Sequence, residues 1–110
     1  LHALTAETAT GNTEGADSQD NGASSANGGA GYLQVSAISG ATATIDAKIR
    51  HSADDVTYAD LITFAQIVVA GARGAERKTV TGTVNRHLAT SWVIAGTTPS
   101  VTFFIGFDRG

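Results

Sequence analysis

The chain has no cysteine and only one proline and one tryptophan among its 110 residues. Without cysteine, a disulfide framework, a thiolate zinc site and a cysteine nucleophile are all excluded. No apolar run approaches the roughly 20 residues that a membrane-spanning helix requires, so we expect no membrane partner. The chain has seven Lys and Arg residues and ten Asp and Glu residues, which gives a net charge of −3. This charge balance does not favour binding to a phosphate backbone, and we expect no specific nucleic-acid binding.

Methionine is also missing, and the chain begins with Leu1 and His2. An initiator Met is normally removed only before a small residue, and leucine is not small. We therefore expect the 110 residues to be a piece of a longer polypeptide or a processed product. No charged segment followed by an apolar run marks a signal peptide.

Small residues dominate what is present, because Ala, Thr, Gly and Ser make up half of the chain. Residues 1–31 have no Lys or Arg, and they carry four acids: Glu7, Glu14, Asp17 and Asp20. Their only large apolar residues are Leu1 and Leu4, too few to offset the entropy lost on ordering. We predict that residues 1–31 form a flexible acidic arm, or one held by a neighbouring subunit or a sheet edge. The remaining residues, 32–110, are predicted to form the folded domain.

Strands are predicted from the period of two between apolar and polar residues. Ala43, Ile45, Ala47 and Ile49 share one face, and Leu33, Val35 and Ala37 share one face of an earlier strand. The predicted strands cover residues 32–38, 43–50, 58–66, 77–84, 86–94 and 101–107.

Turn residues separate these strands and complete the prediction of the fold. Ser39-Gly40 is predicted to close a hairpin between the first two strands, and residues 96–99 to separate the last two. With no convincing helix, the pattern predicts an all-β fold: a small antiparallel β-sandwich or barrel of about six to seven strands, with an extended N-terminal arm.

Residues that could carry catalysis are few. His2, His51 and His87 have no metal-ligand spacing, and we expect structural roles for them. The segment from Asp17 to Gly22 fails the ligand pattern of a calcium loop, and no Ser-His-Asp motif or phosphate loop is present. We therefore expect no enzyme activity, no cofactor and no metal.

Trp92 is the one tryptophan, and it shares the parity of Leu88 on an apolar face. That position predicts packing in the core. An exposed Trp92 would instead suit a carbohydrate-binding platform.

Basic residues of the predicted domain can complement the acids of the arm. We take five bases and four acids as candidate interface residues: Arg73, Arg77, Lys78, Arg86, Arg109, Glu7, Glu14, Asp17 and Asp20. A solvated polar face explains the same residues equally well.

Several segments resemble the C-terminal region of tail tube (major tail) proteins of tailed bacteriophages. They are residues 31–35 (GYLQV), 50–61 (RHSADDVTYADL) and 82–88 (GTVNRHL), together with 1–8 (LHALTAET) and 20–25 (DNGASS). The resemblance covers most of the chain, and the hairpin sequence within residues 50–61 is similar to one shared by several phage β-sandwich modules.

The resemblance implies a structural protein located in the virion. Its relatives assemble as homo-oligomers, into rings that stack into a tube through which DNA passes passively, and they contact other virion proteins. We therefore expect self-assembly through sheet edges and the N-terminal arm. The alternatives are a capsid decoration protein and a carbohydrate-binding surface module.

Overall fold

The fold is described from a computed structural model over residues 1–15, 18–68 and 74–110. No α-helix occurs in these ranges, and one antiparallel sheet contains every strand. The eight strands are β1 (His2–Glu7), β2 (Gly11–Asn12), β3 (Gln19–Asp20), β4 (Gly29–Ser52), β5 (Ala59–Thr63), β6 (Ile67–Val68), β7 (Gly74–Val80) and β8 (His87–Arg109). The predicted all-β antiparallel fold is confirmed.

Two long strands form the centre of the sheet. β4 and β8 pair with each other from Gly29↔Arg109 to Ser52↔His87. β1, β2 and β3 line the outer side of β8, and β5, β6 and β7 line the outer side of β4. The sheet is therefore four strands wide along its length.

This sheet is bent at its middle and folds back on itself. A straight strand of 24 residues would be about 80 Å long at the usual rise per residue, whereas the longest dimension of the molecule is 42 Å. We call the part that contains β1, β7, residues 29–39 and residues 100–109 the first half-sheet. The second half-sheet contains β2, β3, β5, β6, residues 44–52 and residues 87–95.

The inner faces of the two half-sheets make the core. Trp92 of the second half-sheet packs edge-on against Phe103 of the first, with ring centroids 5.5 Å apart. A side chain at Gly31 would meet the terminal carbons of Ile62 at 2.7 Å and Ile49 at 2.8 Å, so the half-sheets lie very close there. The buried apolar residues include Leu33, Val35, Ala43, Ile45, Ala47, Leu88, Ile94, Val101 and Ile105. The predicted alternation over 43–49 is thus confirmed, as is the burial of Trp92.

The predicted hairpin at Ser39-Gly40 is wrong, and so is the predicted break at residues 96–99. Each of these segments is a bend inside one strand, with positive φ angles at Gly40 (107°), Thr42 (54°), Gly96 (118°) and Thr98 (41°). Apolar–polar alternation continues through a bulged bend as it does through a hairpin, so the sequence pattern does not separate the two.

Ala37 was expected on the buried face with Leu33 and Val35, but it is exposed. The pairing of β4 with β8 shifts by one residue between Val35 and Ala37. Because an inserted residue reverses the facing of all that follow, Ala37 turns outward.

We expect Gly31→Val to destabilise the fold by about 1–3 kcal/mol, because the added carbons overpack the contact with Ile49 and Ile62. Chemical denaturation measures the change. Ala37→Val, on the exposed face of the same strand, is the control and should change stability little. Adding Ile62→Val to Gly31→Val should recover part of the loss, and equal losses for the single and double variants would contradict this packing.

Candidate functional site

The acidic N-terminal segment lies along β8 of its own chain. His2 pairs with Ile105 near one end of β8, Gly11 with Trp92 in its second half, and Asp20 with His87 at the other end. This segment was expected to be flexible or held by a neighbour or a sheet edge. In the structure the chain's own sheet supplies the edge, while the division of the chain at residue 31 stays a prediction.

His2 anchors the start of this segment. Its ring is buried and stacks on Phe103 with centroids 3.9 Å apart and planes 10° apart. Nδ1 lies 3.0 Å from the Phe103 carbonyl oxygen and Nε2 lies 3.2 Å from a carboxylate oxygen of Glu7. His2 therefore has the structural role that the sequence suggested. Its partner Glu7 is one of the candidate acids.

Side chains supplement the short β2–β8 ladder between β1 and β3. The Trp92 indole N–H donates to the Ala9 carbonyl at 2.9 Å. The Thr10 hydroxyl accepts from the Ile94 amide at 3.0 Å, and the Thr13 hydroxyl accepts from the Thr90 amide at 2.9 Å. The two hydroxyls satisfy backbone amides of β8, and the indole satisfies a carbonyl of the segment, where few residues of the segment form strands.

Arg50 connects three parts of the sheet across the outer face of the second half-sheet. It donates to Glu14 at 2.7 Å and to the Tyr58 carbonyl at 3.0 Å. Ala89, which pairs with Arg50 on the same outer face, is fully buried. Arg50 was not among the candidate residues, because an outward-facing base on a strand carries no sequence signal for its partner.

Asp20 and Arg86 form the one basic–acidic pair among the described candidates. Two guanidinium nitrogens donate to the two carboxylate oxygens, at 2.7 and 2.9 Å. These bonds from Arg86, with a further one from the Gly22 amide, hold the pKa of Asp20 well below its usual range. Both side chains are about half exposed, so water screens the pair and its contribution to stability is small.

Asp54 and Asp55 stabilise the turn between β4 and β5. Asp54 Oδ1 accepts the Ser52 hydroxyl at 2.8 Å and the amides of Val56 and Thr57 at 3.0 Å each. Asp55 accepts the hydroxyls of Tyr58 and Ser18, and these bonds lower its pKa. The turn therefore also holds the N-terminal segment through Ser18.

The other candidate bases lie apart from the acids. Lys78 donates to the Thr63 carbonyl at 2.7 Å, and Arg109 donates to the carbonyls of Val84 and Asn85 at 2.9 Å each. Arg77 lies over the Tyr32 ring, 5.8 Å from its centroid. Arg73 and Asp17 lie outside the described residues.

Two edges of the sheet carry no further strand within the described residues. β1 pairs only with β8, and β7 pairs only with β4. Ala3, Leu4, Thr5 and Ala6 of β1 are all exposed and uncharged. Such an edge offers free backbone donors and acceptors for strand addition.

The outer face of the first half-sheet is partly aromatic. Tyr32 and Phe104 are each more than a third exposed, and with Gln34 and Arg77 they line an open groove of about 440 Å³. Trp92, by contrast, is only 6% exposed. The carbohydrate-binding alternative therefore loses the residue on which it depended.

In the ranges that the structure covers, no three His, Asp or Glu residues are grouped so that they could hold a metal ion. The Asn85 amide donates to His51 Nδ1 at 3.1 Å, and burial lowers the pKa of this histidine. No helix in the same ranges is long and apolar enough to cross a membrane.

No protein-family model matches the chain, and no curated protein matches it.

Asp54 makes a pH-dependent contribution to stability. Its hydrogen bonds with the backbone amides of Thr57 and Val56, and then with Ser52, lower its pKa to about 2. Because the folded pKa lies below the unfolded value of roughly 3.9, this stabilisation is complete above about pH 5 and is lost as the pH falls towards 2. We expect the stability difference between the wild type and Asp54→Asn to be constant from pH 7 to about 5 and to shrink below that.

Denaturation midpoints of both proteins across this pH range measure the effect. Asp54→Asn keeps the accepting oxygen and removes only the charge. The pH-dependent contributions of the other acids are the same in both proteins and cancel in the comparison. A difference that stays constant down to about pH 2 would contradict this role for the carboxylate.

Proposed function

We propose that this chain is a self-assembling structural protein of a virion, a component of a phage tail tube, whose copies join edge to edge. The observation that carries the proposal is that β1 and β7 form two different edges of the first half-sheet, on opposite sides of the β4–β8 pair, and neither pairs with a further strand of the described residues. In the proposed contact, β1 of one copy adds to β7 of the next.

Charge favours this pairing over the pairing of two identical edges. β1 carries one acid, Glu7, and no Lys or Arg, whereas β7 carries Arg77 and Lys78 with one acid, Glu76. Two β1 edges would bring like charges together, which costs free energy, while β1 against β7 brings opposite charges together.

The two edges also differ in how they are protected. Glu76 and Lys78 of β7 face the space beside β5, where Glu76 accepts the Ala65 amide at 2.8 Å and Lys78 donates to Thr63. Charged side chains on an edge strand discourage indiscriminate pairing. β7 is thus selective for a partner edge of suitable charge, and β1 provides one, because its residues 3–6 are uncharged and its last residue is Glu7.

A contact between unlike edges is head-to-tail, and head-to-tail contacts generate closed rings or open filaments. Rings that stack into a tube are the form expected from the resemblance to tail tube proteins. A net charge of −3 suits passive passage of DNA, since fixed positive charge would slow a moving polyanion. A decoration protein on a capsid is the alternative for a chain that stays monomeric on its own.

We expect the purified protein at micromolar concentration to form rings or tubes in electron micrographs. Ala6→Lys should block the β1 edge and Arg77→Glu the β7 edge, so that each variant alone sediments as a monomer. Mixed in equal amounts, the two variants should form a one-to-one dimer, because each supplies the edge that the other lacks. Analytical ultracentrifugation measures all three samples.

Ala6→Ser and Arg77→Lys are the matched controls and should assemble like the wild type. Circular dichroism and thermal unfolding check that each variant is folded. If the mixture of Ala6→Lys and Arg77→Glu stays monomeric while the wild type assembles, the contact does not join β1 to β7. A wild type that is monomeric at every concentration would refute self-assembly of this chain.

A further inference from the structure

The outer face of the first half-sheet carries two exposed aromatic rings near its centre. Tyr32 and Phe104 expose 37% and 40% of their surfaces. Tyr32 pairs with Gly106, and Gln34 pairs with Phe104, so these four residues form two neighbouring rows on that face. Both rings line the open groove of about 440 Å³. Edge-to-edge assembly extends the sheet in its own plane, so it does not cover this groove.

Gly106 leaves room for the Phe104 ring to lie along the strand. A carbon added at Gly106 would lie 2.8 Å from Phe104 Cζ and 3.0 Å from Cε1. The end of the ring therefore covers Gly106, next to Tyr32, and a side chain at this position would push it away. The glycine thus keeps the two aromatic residues together on one surface.

Polar groups stand beside the two rings. Arg77 pairs with Tyr32, and its Nε donates to the Tyr32 hydroxyl at 3.3 Å. No other nitrogen of Arg77 is bonded to a described residue. Gln34 is exposed within the groove and supplies an amide that can both donate and accept. The nearby acid, Glu76, turns to the opposite face, where it accepts the Ala65 amide.

The size of this surface favours a small ligand over a protein. The exposed parts of Tyr32 and Phe104 amount to roughly 150 Å², taking roughly 200 Å² for a whole aromatic side chain. Each partner in a stable protein complex buries about 800 Å². Nucleic acid is disfavoured as well, because Arg77 is the one base among the described residues that line the groove, and a nucleic-acid strand needs a positively charged track.

We propose that this groove binds an acidic oligosaccharide. The C–H faces of the sugar rings pack on Phe104 and Tyr32, since small-ligand sites combine apolar and aromatic walls with a few placed polar groups. The guanidinium of Arg77 binds a sugar carboxylate, for which its planar fork is suited, and Gln34 bonds to hydroxyls.

A second groove gives the oligosaccharide room to continue. It has a volume of about 370 Å³, lies on the other side of Phe104, and is lined by residues that include Leu1, Ala3 and Gln19. Every residue of the site belongs to one chain, and the buried Trp92 has no part in it. The proposal therefore goes beyond self-assembly and does not depend on it.

The test applies the protein to an array of neutral, uronic-acid and sialic-acid oligosaccharides and then titrates the best ligand by calorimetry. We expect binding to acidic glycans that weakens as the salt concentration rises. Phe104→Ala should lower the affinity by about tenfold or more, since aromatic anchors dominate such contacts. Arg77→Gln should lower the affinity for the acidic glycan by about tenfold and remove the salt dependence. Its affinity for the same glycan with methyl-esterified carboxylates should equal that of the wild type.

Val93→Ala is the matched control, because Val93 is an exposed apolar residue of β8 on the other half-sheet, 54% exposed. It should bind like the wild type. Phe104 and Gln34 lie on the two central strands, so Phe104→Ala and Gln34→Ala should lose affinity for the glycan and still assemble. Loss of binding with assembly intact separates this site from the edges.

Circular dichroism checks that each variant is folded, and Phe104→Leu, which keeps an apolar side chain and removes the ring, replaces Phe104→Ala if the latter fails to fold. Failure of every acidic glycan on the array to bind would overturn the proposal. So would equal affinities of the wild type and the Phe104 variant, or a loss in Val93→Ala as large as that in the Phe104 variant.

Discussion

β4 and β8 remain paired through a bend that lies at nearly the same place along both strands. This bend packs one face of the sheet against itself. A four-stranded sheet with one apolar face must cover that face, and in a chain of this size no second sheet or helix is available within the described residues. Folding the sheet over solves the problem with its own residues. The contacts of Gly31 with Ile49 and Ile62, and of Trp92 with Phe103, exist only because of it.

The N-terminal segment depends on the same arrangement. Few of its residues pair as strand, yet it follows β8 along both half-sheets. His2 of this segment contacts Trp92 of the other half-sheet, with ring centroids 4.8 Å apart, and the Trp92 indole donates to the Ala9 carbonyl. An acidic segment with little apolar surface thus becomes an ordered edge, and its exposed, uncharged start is the surface on which our proposal of edge-to-edge assembly rests.

Much of the fold was predictable from local pattern, and most of the candidate site was not. The alternation from Ala43 to Ile49 and the parity of Trp92 with Leu88 both identified core residues, because burial on one face of a strand imposes a period of two. The Ser39-Gly40 segment was misread because a bulged bend and a hairpin use the same residues. The partners of charged residues could not be predicted from the sequence either. Glu14 lies beside Arg50, and Asp20 beside Arg86, only because of the sheet topology.

The sequence by itself determined that the chain forms antiparallel strands with one apolar face, that it has no cysteine chemistry, and that its charge is divided between an acidic start and a more basic remainder. These are properties of composition and of short-range periodicity. Only the tertiary structure decided that two of the predicted turns are bends, that the acidic start forms an edge of the same sheet, and which residues meet across the inner faces. Such contacts join residues far apart in the chain, and their choice depends on the register of β4 with β8, which no local pattern specifies.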